Sequence, residues 1–145
     1  MKLEFHSPDY MPACGLTFVI IGARYKDMWV FVRHRKRNGY ELPAGHIDPD
    51  EDPDVAAARE LGEETGAVNF DIQCIATYTV SGDDGFRAGR LYYAGIRTLG
   101  QERDEDEIGE VVFATSLPSE LSFPFVQGKL FAYLERYHKA QKKPG

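Results

Sequence analysis

Gly45-His46-Ile47-Asp48-Pro49-Asp50-Glu51-Asp52-Pro53-Asp54-Val55-Ala56-Ala57-Ala58-Arg59-Glu60-Leu61-Gly62-Glu63-Glu64-Thr65-Gly66-Ala67 is the stretch on which the reading of this chain turns. It carries a complete set of helix signals. Asp52 can cap the first free backbone N–H groups, and Pro53 suits the first helical position. Asp54 places negative charge at the positive end of the helix dipole. Ala56, Ala57, Ala58 and Leu61 are strong helix formers, and Gly66 stands where a left-handed C-terminal cap ends a helix, near Thr65. At about 100° per residue, Ala58, Leu61 and Thr65 fall on the side that faces a core, while Glu60, Glu63 and Glu64 share another arc.

Each like-charged pair at this spacing costs an isolated helix about 0.2–0.5 kcal/mol, and the lone Arg59 beside the group cannot neutralise three carboxylates. A Glu-rich helix face is ordinarily solvated surface. Here the charges are nearly all acidic, and the helix is entered from a loop rich in Gly, Pro and Asp. A cation among the carboxylates is the sharper reading, and clustered hard oxygen donors suit Mg²⁺, with Mn²⁺ as a substitute.

These residues fit the pattern G-x5-E-x7-R-E-U-x-E-E-x-G-U, with U a bulky aliphatic, through Gly45, Glu51, Arg59, Glu60, Leu61, Glu63, Glu64 and Gly66. In this the chain resembles the Nudix hydrolases. The departure is Ala67, where a larger aliphatic is usual, and it touches packing at the helix exit. The flanking stretches E-L-P-A-G-H and D-E-I-G-E-V-V-F are similar to the MutT-like subgroup, 8-oxo-dGTP diphosphatases among them, so the likeness spans about residues 15–135. It implies an α/β fold: an α/β/α sandwich with a mixed β-sheet, a catalytic loop-helix-loop and a C-terminal helix. It also implies a divalent metal and cleavage of a diphosphate linked to another group. Glu60, Glu63 and Glu64 would be metal ligands, one of them helping to deprotonate water, with the Gly45 carbonyl as a further ligand. Arg59 would hold a carboxylate in place and Glu51 would brace the loop. A glutamate from outside the box would join them. Glu107 and Glu110 are the candidates, with Glu107 favoured, and Asp106 matches a position that reads a purine base.

Size and charge bound the rest. A chain of 145 residues is one domain, with its core at about 15–138. Its net charge of −6 speaks against binding duplex nucleic acid, which needs a basic footprint, though not against a nucleotide whose phosphates a metal screens. Cys14 and Cys74 lack paired spacing and read as reduced thiols. The N-terminus has no apolar signal core and no run reaches transmembrane length, so the expectation is a cytoplasmic protein without a membrane partner, monomer or homodimer.

Along the chain, residues 1–13 read as an arm or a short edge strand. Strands are expected at Leu16–Ile21, Met28–Val32, Asp71–Val80, Arg90–Ile96 and Val111–Ala114, with turns at Tyr25–Asp27 and Ser81–Gly85. A helix begins at Pro124 and runs through Tyr137, and the basic end from Lys139 to Gly145 should fray. Arg33-His34-Arg35-Lys36-Arg37 is a dense basic cluster, read either as a solvated turn or as a phosphate clamp. Arg33, taken as the last strand residue, is the candidate to bind substrate. His46 could touch a phosphate or simply face solvent. The run from Gln101 to Glu107 is an acidic loop.

The proposed reaction is attack of water at phosphorus, releasing monophosphate and pyrophosphate from a nucleoside triphosphate. An oxidised purine such as 8-oxo-dGTP suits the MutT-like likeness. The partner is thus a nucleoside diphosphate-linked small molecule. Asp83, Asp84 and Gly85 stand where ADP-ribose and dinucleoside polyphosphate hydrolases often carry Pro or Tyr, and an upstream coenzyme A signature is missing. ADP-ribose or nucleotide-sugar hydrolysis and action on RNA 5′-ends stay open, as do a non-catalytic nucleotide sensor and an acidic interaction module.

Overall fold

Strand β2 (Phe18–Tyr25) sets the layering. Val19, Ile21 and Ala23 are buried on one of its faces and Ile20 on the other. A strand that is apolar on both faces needs a cover on each. Helix α1 (Pro53–Thr65) covers the first with Ala56, Ala57 and Leu61. Helix α2 (Pro124–Lys142) covers the second with Leu130, Phe131 and Leu134. Leu61 is fully buried, so truncation to alanine there should cost about 2–5 kcal/mol. The result is the α/β/α sandwich. The computed structural model describes residues 1–100 and 103–142. Gln101 and Glu102 of the acidic loop, and Lys143 to Gly145 of the basic end, lie outside the described residues.

Seven strands among the described residues form one mixed sheet. The others are β1 (Lys2–His6), β3 (Met28–His34), β4 (Ala44–His46), β5 (Ala67–Gly82), β6 (Gly85–Leu99) and β7 (Ile108–Ala114). Their order is β1-β5-β6-β2-β3-β7, with β4 paired to β2. β2 and β6 run parallel, and the remaining neighbours are antiparallel.

β2 and β3 pair at Arg24–Trp29 and Tyr25–Met28, across a turn in which Lys26 and Asp27 both take positive φ (48° and 65°). That is the turn whose twist matches a tight hairpin. Beyond these pairs a second segment fills the sheet. Val32 and Glu41 exchange backbone hydrogen bonds of 2.8 and 2.9 Å, Ile21 N–H donates to the Pro43 carbonyl at 2.8 Å, and β4 lies along Phe18–Ile20. Residues 41–46 are therefore threaded between β2 and β3, which brings the end of β3 to the loop that feeds α1.

Several boundaries differ from the sequence expectation. β5 and β6 meet across Asp83 and Asp84, so the turn is shorter than Ser81–Gly85 and both strands are longer. Their polar outer residues, such as Asn69, Gln73, Arg97 and Thr98, dilute the apolar pattern, yet the ladder runs the whole way. β7 starts at Ile108, because Ile108 and Glu110 pair with His34 and Arg33. β3 ends at His34, one residue past Arg33. Helix α2 continues through Lys142, where a frayed end was expected. Among the described residues no helix is long and apolar enough to cross a membrane.

Candidate active site

Helix α1 is built as its sequence dictates. The Asp52 carboxylate accepts from Asp54 N–H at 2.8 Å, and Gly66 closes the helix in the left-handed region (φ 82°), its N–H on the Gly62 carbonyl. Its acidic residues do not share one environment. Ala58 is half-buried, and the core-facing stripe carries Glu64 beside Leu61 and Thr65. The Glu63 side chain is 47% exposed, whereas Glu64 is 1% exposed. The box glutamates thus lie along a gradient from solvent to core.

Arg59 occupies the outer end of that gradient. Its Nε and Nη2 grip both oxygens of Glu51 at 2.8 and 2.9 Å, a bidentate pairing. Nη1 donates to Glu60 at 2.9 Å and to Glu63 at 3.4 Å, and Nη2 donates to the His46 carbonyl at 3.2 Å. Glu51 also accepts from Asp48 N–H at 2.9 Å, which fixes the loop before the helix. The Arg59 hydrogen bonds hold the Glu51 carboxyl down at about 2, helped by the Asp48 N–H. Gly45 makes room for this arrangement, since a Cβ at that position would overlap the Glu60 carboxylate. A residue with a side chain could not bring the 45–46 backbone so close to α1.

At the inner end no guanidinium among the described residues pairs with Glu64. Glu64 Oε1 accepts from Ala44 N–H at 3.0 Å, while its buried Oε2 has no hydrogen-bond partner. His34 Nε2 lies 3.4 Å from that oxygen and 3.6 Å from Glu41, and His34 Nδ1 lies 3.4 Å from Glu107. Burial pushes the Glu64 carboxyl up to about 9, the Ala44 N–H opposing and Glu60, Glu107 and Glu41 adding to it. Burial likewise raises Glu60 to about 7, against the pull of Arg59. Burial holds the His34 imidazole below its usual range, though Glu41 and Glu107 oppose it. The Glu64 carboxyl resists ionisation because it is buried and the neutral imidazole beside it supplies no counter-charge. The donors suit a divalent cation: His34, Glu64 and Glu107 offer ligand atoms all within 4.8 Å of one another. An orphaned buried carboxylate oxygen is what such an ion would satisfy.

The acidic loop reaches the site through its backbone. Asp104 N–H donates to the Glu63 carbonyl at 2.6 Å, and Arg35 N–H to the Glu107 carbonyl at 2.9 Å. These bonds dock the loop on the end of α1 and on the residue after β3, and they deliver Glu107 to His34. Asp106 is exposed, and it is not among the residues that line the adjoining cavity.

That cavity has a volume of about 400 Å³ and runs from His34, Glu41, Gly45 and Glu107 to an apolar wall that includes Phe18, Tyr78, Val80 and Val126. His46 lines it, with its ring 4.4 Å from that of Phe18. Arg33 does not. It pairs with Glu110 at 3.4 Å, and Glu110 is also held by the Tyr40 hydroxyl at 2.7 Å. The cations on the cavity wall are Arg37, which grips the buried Glu41, and Arg87.

The family model described as the NUDIX domain matches residues 14–134. The chain belongs to the Nudix family. It is a hydrolase of that family. It is 32% identical over 134 residues to a Bacillus subtilis (strain 168) protein named "Putative 8-oxo-dGTP diphosphatase YtkD", covering 92% of this chain and 80% of that one. It is 35% identical over 71 residues to an RNA pyrophosphohydrolase of Caulobacter vibrioides, spanning 48% of this chain and 40% of that protein. Among solved structures, a mutant of the Bacillus subtilis pyrophosphohydrolase BsRppH superposes with a TM-score of 0.79 at 27% identity, over 95% of this chain and 90% of that one.

Several residues of this Nudix site escaped the sequence reading, His34, Glu41 and Phe123 among them. His34 lay in a cluster read as a solvated turn or a phosphate clamp with Arg33 as its binding residue, and Glu41 in the E-L-P-A-G-H stretch that was given no role of its own. For His34, strand alternation was the available signal, since along β3 Arg33 and His34 must face opposite ways. Phe123 was hidden by its position just before a helix. It is 58% exposed on the cavity wall at φ 55°, rare for an aromatic residue, with the Arg37 guanidinium 5.5 Å from its ring.

Proposed function

We propose that this Nudix hydrolase is a Mg²⁺-dependent pyrophosphohydrolase of purine nucleoside triphosphates, oxidised ones such as 8-oxo-dGTP included, releasing monophosphate and pyrophosphate. The observation that carries it is the unpartnered, buried Glu64 carboxylate oxygen beside a cavity with one anionic end and one apolar end. Glu60, Glu63, Glu64 and the Gly45 carbonyl would hold the cation, with Mn²⁺ able to substitute. When bound, the ion would offset charge on the bridging phosphates and make water a better nucleophile near neutral pH.

The chain's own groups supply the rest. Arg59 fixes Glu60 and Glu63 and ties them through Glu51 to the loop. Glu107, the most exposed carboxylate at the inner cluster, would orient the attacking water or take its proton. Arg37, Arg87 and His46 line the route for phosphate oxygens. The apolar wall suits a base. Gln127 lines it too, and because its Oε1 accepts from Leu42 N–H at 2.8 Å, its amide NH₂ is left to donate to a base carbonyl. The name of the 8-oxo-dGTP relative, similar over most of both chains, supports the same substrate class.

A second reading, action on RNA 5′-ends, is favoured by the likeness of about half of this chain to the Caulobacter vibrioides protein named an RNA pyrophosphohydrolase. One panel decides between them: Mg²⁺-dependent release of pyrophosphate from dGTP, 8-oxo-dGTP, dATP and a 5′-triphosphate RNA, beside ADP-ribose and a nucleotide sugar. Turnover of a free triphosphate, lost in Glu64→Gln, is the expected result. Turnover of RNA alone selects the second reading, and turnover confined to ADP-ribose or the sugar overturns both.

A further inference from the structure

We propose that His34 is a metal ligand, making the inner cluster a mixed nitrogen–oxygen site with Glu64 and Glu107. This rests on the metal-dependent reading above and adds a donor of a different kind to its carboxylates. The geometry is specific. His34 is a buried residue whose two ring nitrogens each stand 3.4 Å from a carboxylate oxygen, Glu64 Oε2 on one side and Glu107 Oε1 on the other. Ligands about 2.1 Å from one ion lie roughly 3.0 Å apart when adjacent and about 4.2 Å apart when opposite. The three donor atoms already fall within 4.8 Å of one another, so a small adjustment of the side chains closes the shell.

A second observation points the same way. Glu64 Oε2 is buried with no hydrogen bond, although an imidazole nitrogen is within reach. Glu41, the other buried carboxylate here, is neutralised by the Arg37 fork at 2.8 and 3.1 Å, which leaves Glu64 as the one that needs a cation. The ring is also oriented as metal-bound histidines are. Ligation through Nδ1, on the Glu107 side, leaves Nε2–H facing Glu41, a carboxylate outside the ligand set that serves as the second N–H partner of a metal-bound histidine. An imidazole donor favours first-row transition ions over Mg²⁺, so this site should discriminate between Mn²⁺ and Mg²⁺ more strongly than an all-oxygen site would.

The test is electron spin-echo spectroscopy of the full chain loaded with Mn²⁺, with Mn²⁺ and Mg²⁺ affinities measured alongside. The expected result is ¹⁴N modulation from a bound imidazole in the wild type and in His46→Gln, lost in His34→Gln, where the preference for Mn²⁺ over Mg²⁺ also shrinks. If His34→Gln fails to fold, ¹⁵N-histidine labelling of the wild type and of His46→Gln reads the same ligand without that variant. Mn²⁺ bound with no histidine nitrogen overturns this inference and leaves the carboxylate reading standing. Modulation that survives in His34→Gln or disappears in His46→Gln also overturns it. Failure to bind either ion overturns both.

Discussion

The two carboxylate clusters on either side of helix α1 contain the same chemical group and treat it in opposite ways. Around Arg59, Glu51 is gripped by a guanidinium fork and its carboxyl is held at about 2. Around His34, Glu64 is buried without a counter-charge and its carboxyl rises to about 9. In the first cluster Glu51 is compensated by the Arg59 fork, as a brace must be. The second is completed only by something the chain does not contain, as a site must be. Residues a few positions apart on one helix fall into different classes because one turn carries them from the solvent edge to the core.

The largest expected effect is at the inner cluster. Glu64→Gln keeps the shape and the Ala44 hydrogen bond but removes the charge that awaits a cation. Hydrolysis should fall by about a thousand-fold or more, since the metal's charge stabilisation is worth several kcal/mol. The metal-free protein should melt no lower than the wild type, because a buried ionisable group has gone. A variant with full activity, or one that melts clearly lower, would show that Glu64 is part of the brace.

At the outer cluster the loss should be smaller. Arg59→Lys keeps the charge but not the fork, so it leaves Glu60 and Glu63 loosely placed. Outer-shell changes of this kind typically cost about 10–100-fold in metal affinity or activity. Activity should recover in part at high Mg²⁺, and an inert substitution would break the idea that Arg59 positions anything.

Stability against pH separates the clusters again. Glu60 and Glu64 are raised to about 7 and about 9 from 4.5, so between those limits the folded chain keeps protons that the unfolded chain has lost. Their contribution to metal-free stability is therefore fullest below about pH 4.5 and declines as pH rises through 7 towards 9, and Mg²⁺ should flatten the decline. Glu51 has the opposite sign: its contribution is present above 4.5 and is lost as pH falls towards 2. Thermal melts with chelator and with Mg²⁺ would read both limbs. An alkaline limb that ignores Mg²⁺ would mean that the inner carboxylates do not meet the ion.

The smallest effect belongs to Arg33, half-exposed and paired with Glu110 on the other face of β3. Arg33→Ala should cost less than about 1 kcal/mol in stability and leave KM alone, whereas Arg37→Ala should raise KM. A raised KM in the Arg33 variant would return it to the substrate path.

Helix α1 was legible because its information is local. Asp52, Pro53 and Gly66 fix its ends, and the spacing of Arg59, Glu60, Glu63 and Glu64 fixes its chemistry. The sandwich was legible as what the family resemblance implies, and the structure supplies its physical reason in a strand apolar on both faces. The burial of Glu64 was less legible. Period alone placed Glu64 with Glu60 and Glu63, while the true core stripe is set by how α1 lies against β2. Arg33 and His34 show the same limit: alternation along β3 puts them on opposite faces, but which face meets the site is set by how β3 lies in the sheet.

The sequence by itself determined the helix, its caps, its carboxylates and, through their spacing, the family and the fold that the family implies, since these depend on residues close along the chain or on a period. The tertiary structure decided which carboxylates meet a guanidinium and which meet nothing. It brought His34, Glu41 and Glu107 to Glu64 and put Arg37 and Phe123 on the cavity wall. These choices depend on residues 41–46 threading between β2 and β3 and on the 103–107 loop docking on α1. Contacts across such separations are set by how packed elements meet, which no short window of sequence encodes.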